Sequence, residues 1–291
     1  MKAFVTGATG FIGTAVIEQL LAKNYEVTAL VRNNASAYSL KTLGANPIVG
    51  DILELKQLPN QNPDAIFHLA SAPTEIQGSH RYLETDVQGA TNLVQAFPQS
   101  HLLYASSVWV YGSSSELLTE SASLYPRTGL GYAKAKVESI LQPIKRYTIF
   151  RIGMIYHGGS FGRQVIQAMH KGLYRTPGNG SNFLSAISIS DVADAFVSAA
   201  ERSITGIYNL VDDKPITWRE MAAETANVLR MRPPGGIPLW LVRVLKGKDL
   251  FEYVNANLRI SNEKAKAANF TLRFKTFAEG LKYCFEENKF E

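Results

Sequence analysis

Thr6-Gly7-Ala8-Thr9-Gly10-Phe11-Ile12-Gly13 decides the fold of this 291-residue chain. It follows the apolar run Ala3-Phe4-Val5, which reads as a strand. It precedes Thr14-Ala15-Val16-Ile17-Glu18-Gln19-Leu20-Leu21, where apolar residues return at helical spacing. A strand, a glycine-rich turn and a helix start in that order form a dinucleotide phosphate site. Gly7 permits the tight turn, Gly10 lets backbone approach a pyrophosphate, and Gly13 allows close packing of helix on strand. The N–H groups of the helix start then face the anion. The spacing is G-x-x-G-x-x-G rather than G-x-G-x-x-G.

The rest of the first half extends that unit. Apolar runs at 2–6, 26–31, 47–50, 64–70, 101–106 and 147–152 read as strands, and helical patterns begin near 11, 35, 80, 130 and 161. Alternation of this kind predicts an α/β fold with a doubly wound parallel sheet, whose ligands sit at the carboxyl ends of the strands. After residue 152 the rhythm loosens, and 158–188 and 232–262 are richer in Gly, Pro, Asn and Arg. The run 177–182 reads as a turn or loop. Residues 207–211 read as a further strand, and 217–230 and 276–288 as amphipathic helices with Thr217 and Thr276 as N-caps.

Composition narrows the function classes. Hydrophobic residues make up 46% and charged residues 19%, the balance of a globular chain with a sizeable core. No apolar run reaches membrane-spanning length, and the start enters a strand without a signal-peptide pattern. Cys284 is the single cysteine, so no internal disulfide can form, and a reducing, cytoplasmic setting is expected. Lys and Arg exceed Asp and Glu by 30 − 25 = 5, an excess that is scattered and carries no nucleic-acid motif. Neither a membrane, a nucleic acid nor a metal is an expected partner; a small molecule is.

Two further stretches carry chemistry. In Tyr132-Ala133-Lys134-Ala135-Lys136, Tyr132 and Lys136 stand at i and i+4, on one face of a helix. A phenol is a poor acid–base group at neutral pH, and an ammonium group nearby favours its ionised form. Such a Tyr can exchange a proton with a substrate hydroxyl or carbonyl. The strand ending Tyr104-Ala105-Ser106-Ser107 would bring the Ser107 hydroxyl to the same sheet edge.

With these residues in view, the chain resembles an extended short-chain dehydrogenase/reductase of the NAD-dependent epimerase/dehydratase family. The glycine turn, Ser106-Ser107-Val108-Trp109-Val110-Tyr111-Gly112 and Tyr132-x-x-x-Lys136 follow the family's order and spacing. Further matches are Gly50-Asp51-Ile52, His68-Leu69-Ala70-Ser71, Arg151-Ile152-Gly153-Met154-Ile155-Tyr156 and Ile189-Ser190-Asp191-Val192-Ala193-Asp194-Ala195. The resemblance implies a Rossmann domain over 1–152. It implies a mostly substrate-binding domain over 153–291, interleaved with the last sheet strands near 187–211. Tyr132 would be the acid–base residue, Lys136 would tune it and hold the nicotinamide ribose, and Ser107 would position the substrate oxygen. The cofactor would lie against Gly7, Thr9, Gly10, Phe11, Ile12, Gly13, Arg32, Asp51, Ile52, Leu69, Ala70, Ser71, Tyr132, Lys136 and Gly153. Two copies would pair through the helices near 80–96 and 130–142.

Departures from the family pattern refine this. Val31 stands where NAD-using members often carry Asp, and Arg32 follows it. An Arg there accommodates a 2′-phosphate, so NADP is expected over NAD. The family's Asn-Val-x-Gly-Thr reads Asp86-Val87-Gln88-Gly89-Ala90, which leaves the role of Asp86 open. Nucleotide-sugar members commonly place an Arg near the position of Leu184, and its absence leaves room for reductases of uncharged ketones and aldehydes. Arg163, Arg175, Arg219 and Arg259 are the remaining phosphate candidates, and Trp109 and Met154 could line an apolar pocket. Epimerase, dehydratase and reductase chemistry all remain open. The rival of another class is an idle NADPH-binding sensor or assembly protein, against which the complete Ser107, Tyr132 and Lys136 set argues.

Overall fold

The computed structural model describes residues 1–59, 62–72, 83–156 and 160–286. Two compact units share the chain. The first comprises Met1–Val110, Gly129–Arg151 and Val192–Tyr208, the second Tyr111–Thr128, Ile152–Asp191 and Asn209–Glu291.

Seven strands form one sheet: β1 (Lys2–Thr6), β2 (Glu26–Val31), β3 (Asn46–Val49), β4 (Ala65–His68), β5 (His101–Ser107), β6 (Tyr147–Ile152) and β7 (Gly206–Leu210). Their order is β7-β6-β5-β4-β1-β2-β3. The pairings β1 with β2, β2 with β3, β1 with β4 and β4 with β5 are parallel. Chain order reverses between β1 and β4, so the topological switch point, where doubly wound sheets take their ligands, falls between these two strands. Ala3, Phe4 and Val5 of β1 and Ala65, Ile66 and Phe67 of β4 are all buried. Strands covered on both faces read as continuous apolar runs rather than alternating ones.

Helices α1 (Phe11–Ala22), α2 (Asn34–Leu43), α3 (Gly89–Ala96) and α4 (Gly129–Leu141) connect or cover these strands. Asn33 caps α2 by accepting from Ser36 N at 2.9 Å, and Gly44 ends it at φ 106°. The helix expected near 80 is described from a π-helical turn, Leu83–Gln88, that runs into α3; residues 80–82 lie outside the described residues. Phe4, Ile66, Leu93, Leu102, Tyr104, Val137, Leu141 and Ile149 join strands and helices in one core.

The second unit contains α5 (Ser160–His170), the start of α6 (Ile189–Arg202), α7 (Trp218–Val228), α8 (Leu239–Asn255), α9 (Glu263–Ala267) and α10 (Phe277–Glu286). Thr217 caps α7, as expected, and the structure adds a reciprocal box with Glu220. Short two-residue pairings such as Phe183-Leu184 with Ile216-Thr217 knit the rest. The expected loosening over 232–262 is only partly a loop region: α8 occupies its middle, interrupted at Gly247, whose φ is 85°. Met154, Tyr156, Leu184, Trp218, Met221, Phe277 and Leu281 form this unit's core.

Candidate active site

A cavity of about 310 Å³ opens at the carboxyl ends of the central strands, lined by residues 6–10, 30–32, 50–53, 69–72 and Thr85. Gly7, Thr9, Gly10, Arg32, Asp51, Ile52, Leu69, Ala70 and Ser71 are in that lining, all of them expected cofactor contacts. Thr6, Val31, Gly50 and Ala72 belong to it too and were not singled out as contacts from sequence. Phe11, Ile12 and Gly13 instead form the first turn of α1.

The glycines have physical reasons. Gly7 has φ 71°, and a Cβ there would stand 2.5 Å from Ala70 N, so only glycine lets the turn lie on the end of β4. A Cβ on Gly13 would come within 2.9 Å of Ala8 Cα, which keeps helix and turn in contact. Gly10 N donates to Gly7 O at 2.9 Å and closes the turn. Gly10 is the N-cap of helix α1, which has no side-chain cap and no acidic residue in its first turn. Its first N–H groups and positive dipole end therefore suit a phosphate. At the far wall Val31 is buried while Arg32 is exposed, and Asp51 Oδ1 accepts from Leu53 N at 3.0 Å. This cradle and donor set fit a dinucleotide.

Ser107 ends β5, where its Oγ accepts from Trp109 N at 3.4 Å. Its neighbour Ser106 points the other way and donates to Glu138 Oε1 at 2.6 Å, in the interior. Helix α4 carries two polar stripes. Tyr132, 56% exposed, and Lys136, also exposed, form the outer one. Lys134 and Glu138, again at i and i+4, form an inner one that is buried. Sequence reading missed this inner stripe because its spacing is that of an ordinary surface pair.

The inner stripe leads into a buried polar network beneath the cavity. Lys134 Nζ lies 3.1 Å from Asp86 Oδ2 and 5.0 Å from the Tyr104 ring centroid. Asp86 also accepts from Ser71 Oγ at 2.8 Å and Ala72 N at 3.1 Å. Thr6 Oγ1 and His68 Nδ1 share a hydrogen bond of 2.9 Å across the β1–β4 register. Burial, and then the Lys134 charge, pulls His68 down to about 4, so it is neutral at physiological pH. Burial and the charges of Asp86 and Glu138 push the Tyr104 phenol well above its ordinary range.

Other expectations fall outside this cavity's lining. Arg151 does not line it; it is ion-paired to Glu138 in the interior. Gly153 belongs to the second unit, where a Cβ would stand 2.5 Å from Ser185 O, so packing already requires glycine. Arg175 donates to Gly172 O and Tyr174 O, Arg219 donates to Asn179 O, and Arg259 lies over the Phe183 ring. The Arg163 side chain is outside the described residues. Leu184 and Met154 are core residues of the second unit.

Known proteins resemble this chain in family and fold. Residues 3–210 match the NAD dependent epimerase/dehydratase family. A ketoreductase of Stigmatella aurantiaca, named for 4-hydroxy-2-methyl-3-oxo-4-farnesyl-3,4-dihydroquinoline-1-oxide, is 27% identical over 235 residues, 75% of this chain and 70% of that protein. A human epimerase family protein solved with NADPH superposes with a TM-score of 0.84 at 22% identity, covering 98% of this chain and 99% of that one. The UDP-glucose 4-epimerase of Thermus thermophilus, solved with NAD, gives 0.80 at 23% identity and covers 98% of each chain.

Proposed function

The chain belongs to the NAD dependent epimerase/dehydratase family, and from that premise we propose that it reduces a ketone or aldehyde with NADPH. It is an NAD(P)-dependent enzyme acting on a small molecule, which is the chemistry of that family. The observation that carries the finer reading is the wall at Val31 and Arg32. The cavity places a cation and no acidic side chain at the end of β2, where a 2′-phosphate would be met.

The glycine turn and α1 would hold the pyrophosphate, Arg32 the 2′-phosphate, Asp51 and Ile52 the adenine side, and residues 69–71 the remaining wall. When bound, the cofactor supplies a hydride to the substrate carbon. The protein's own residues handle the proton. Tyr132 Oη gives a proton to the substrate oxygen on reduction and takes it back in reverse. Ser107 Oγ hydrogen-bonds the same oxygen, and Lys136 supplies positive charge beside Tyr132 and contacts the ribose. Leu184, buried where a diphosphate-binding Arg would stand, supports an uncharged carbonyl substrate over a nucleotide sugar. The name of the Stigmatella relative supports the same side.

The second unit is proposed to be mostly substrate-binding. Pairing of two copies is proposed through α4 and the segment ending in α3. A reducing, cytoplasmic setting is proposed from the single, buried cysteine, Cys284. Among the described residues no helix is long and apolar enough to cross a membrane.

The test is NADPH consumption by the purified protein against a panel of aliphatic and aromatic ketones and aldehydes, with UDP-glucose as the nucleotide-sugar arm. Consumption with a carbonyl compound supports the proposal. Conversion of the sugar in a parallel assay supplied with NADP+ or NAD+, without net change in cofactor, would favour an epimerase, and tight NADPH binding with neither activity would favour a sensor.

A further inference from the structure

Asp86, the residue that departs from the family's Asn, has a partner on the catalytic helix. It lies in the π-helical turn Leu83–Gln88 and is fully buried. Such turns are rare and gather at functional sites. Its carboxylate reaches in two directions. Toward the cavity it accepts from Ser71 Oγ and Ala72 N, and both residues line the cavity wall. Toward α4 it meets Lys134 Nζ at 3.1 Å. Lys134 is 6% exposed and stands two residues from Tyr132 and two from Lys136.

Taking either charge out of water is costly unless the other stays in contact, so a buried pair of this kind tolerates little change in separation. Lys134 is part of a rigid helix, and Asp86 is tied to the wall by two hydrogen bonds. We propose that Asp86 and Lys134 are positioning residues whose ion pair sets helix α4, and with it Tyr132 and Lys136, at a fixed distance from the cavity wall at Ser71 and Ala72. Both act through other residues. The inference rests on reading Tyr132 as the proton-transfer group and this cavity as the cofactor site.

Asp86→Asn, Lys134→Met, the double variant and Lys134→Arg test it. Each is compared with wild type by thermal melting, NADPH titration and steady-state reduction of a carbonyl compound. Because a misplacement of about 1 Å can cost up to ~100-fold, either charge-deleting variant is expected to lose about tenfold or more in kcat. KM for the carbonyl compound should change little. NADPH should bind about threefold or more weakly, since the wall at Ser71 and Ala72 loses its anchor. Residues that act as one link are non-additive, so the double variant should lose no more than the worse single one. Lys134→Arg, which keeps the cation, should stay within about threefold of wild type.

A merely stabilising pair would lower the melting temperature while kcat of the folded protein and NADPH affinity stayed unchanged, and that result overturns the proposal. Losses that multiply in the double variant overturn it as well. If a single variant fails to fold, the double variant and Lys134→Arg decide, and a folded double variant with wild-type kcat and NADPH affinity counts against it. Tyr132→Phe is the control for the underlying reading. If that variant keeps wild-type turnover, the assignment of Tyr132 fails, and the pair is then judged on NADPH affinity alone.

Discussion

Arg151 and Glu138 form a buried fork, with Arg151 Nε donating to Glu138 Oε1 at 3.1 Å and Nη2 donating to Oε2 at 2.7 Å. Ser106 Oγ donates to the same carboxylate, so β5, α4 and β6 meet at one point. Removing one partner leaves an uncompensated interior charge.

Arg151→Met should therefore destabilise the protein by about 3–5 kcal/mol in chemical denaturation, whereas the double change with Glu138→Leu should recover much of that loss. Equal losses in the single and double variants would mean that the two charges are not energetically linked.

Asp212 offers a pH test in the second unit. Both of its carboxylate oxygens are buried, with the Tyr156 hydroxyl facing them. Burial, and then the Asp191 charge, raises its pKa well above the ordinary 3.8. A carboxyl raised in the folded state stabilises most below its unfolded pKa and loses that contribution as pH rises through its folded pKa. Asp212→Asn should therefore stabilise the protein by about 1 kcal/mol or more at neutral pH. The gain should shrink as pH falls toward 4. A gain independent of pH would contradict the assignment.

His68 acts in the opposite sense. Its folded pKa of about 4, against an ordinary 6.5, means that the unfolded chain binds a proton first as pH falls. Stability should drop between those two values by about 3 kcal/mol for this residue. His68→Asn should flatten that slope in denaturation curves taken across the interval. His101, buried and likewise held near 4, should keep part of the slope. An unchanged slope in the variant would show that His68 is not the titrating group.

The first six strands lie within two residues of their sequence-based limits; β1 and β4, buried on both faces, leave uninterrupted apolar runs, whereas the edge strand β3 is partly exposed. The glycine turn was legible for a different reason: Gly7 and Gly13 are required by close contacts that no other residue satisfies. The buried polar network was not legible. Asp86 and Lys134 come from distant segments, and Lys134 lies in a motif whose outer members, Tyr132 and Lys136, read as one polar face. Arg151 stands in the sequence only as the first residue of a family-like segment, and only the fold reveals Glu138 as its partner. Helix α8 escaped notice because Gly247 breaks it and its exposed Trp240, Val244 and Leu245 blur the apolar pattern.

The proposed preference for NADPH rests on Arg32. A charge-assisted hydrogen bond to a 2′-phosphate contributes roughly 1.5–3 kcal/mol, or about one to two decades in affinity. NADPH should bind more tightly than NADH by that factor in calorimetric titration. The double change Val31→Asp with Arg32→Asn should reverse the order. Equal affinities in the wild type would show that Arg32 makes no such contact.

The central claim is that Tyr132 transfers the proton during carbonyl reduction. Its most direct test is the rate of NADPH consumption by Tyr132→Phe beside wild type, on a carbonyl compound that the wild type reduces, with NADPH affinity measured on both. The ring still packs while the hydroxyl is gone, so the rate should fall by at least ~100-fold. NADPH should bind the two proteins almost equally. A variant that turns over at the wild-type rate would contradict the account.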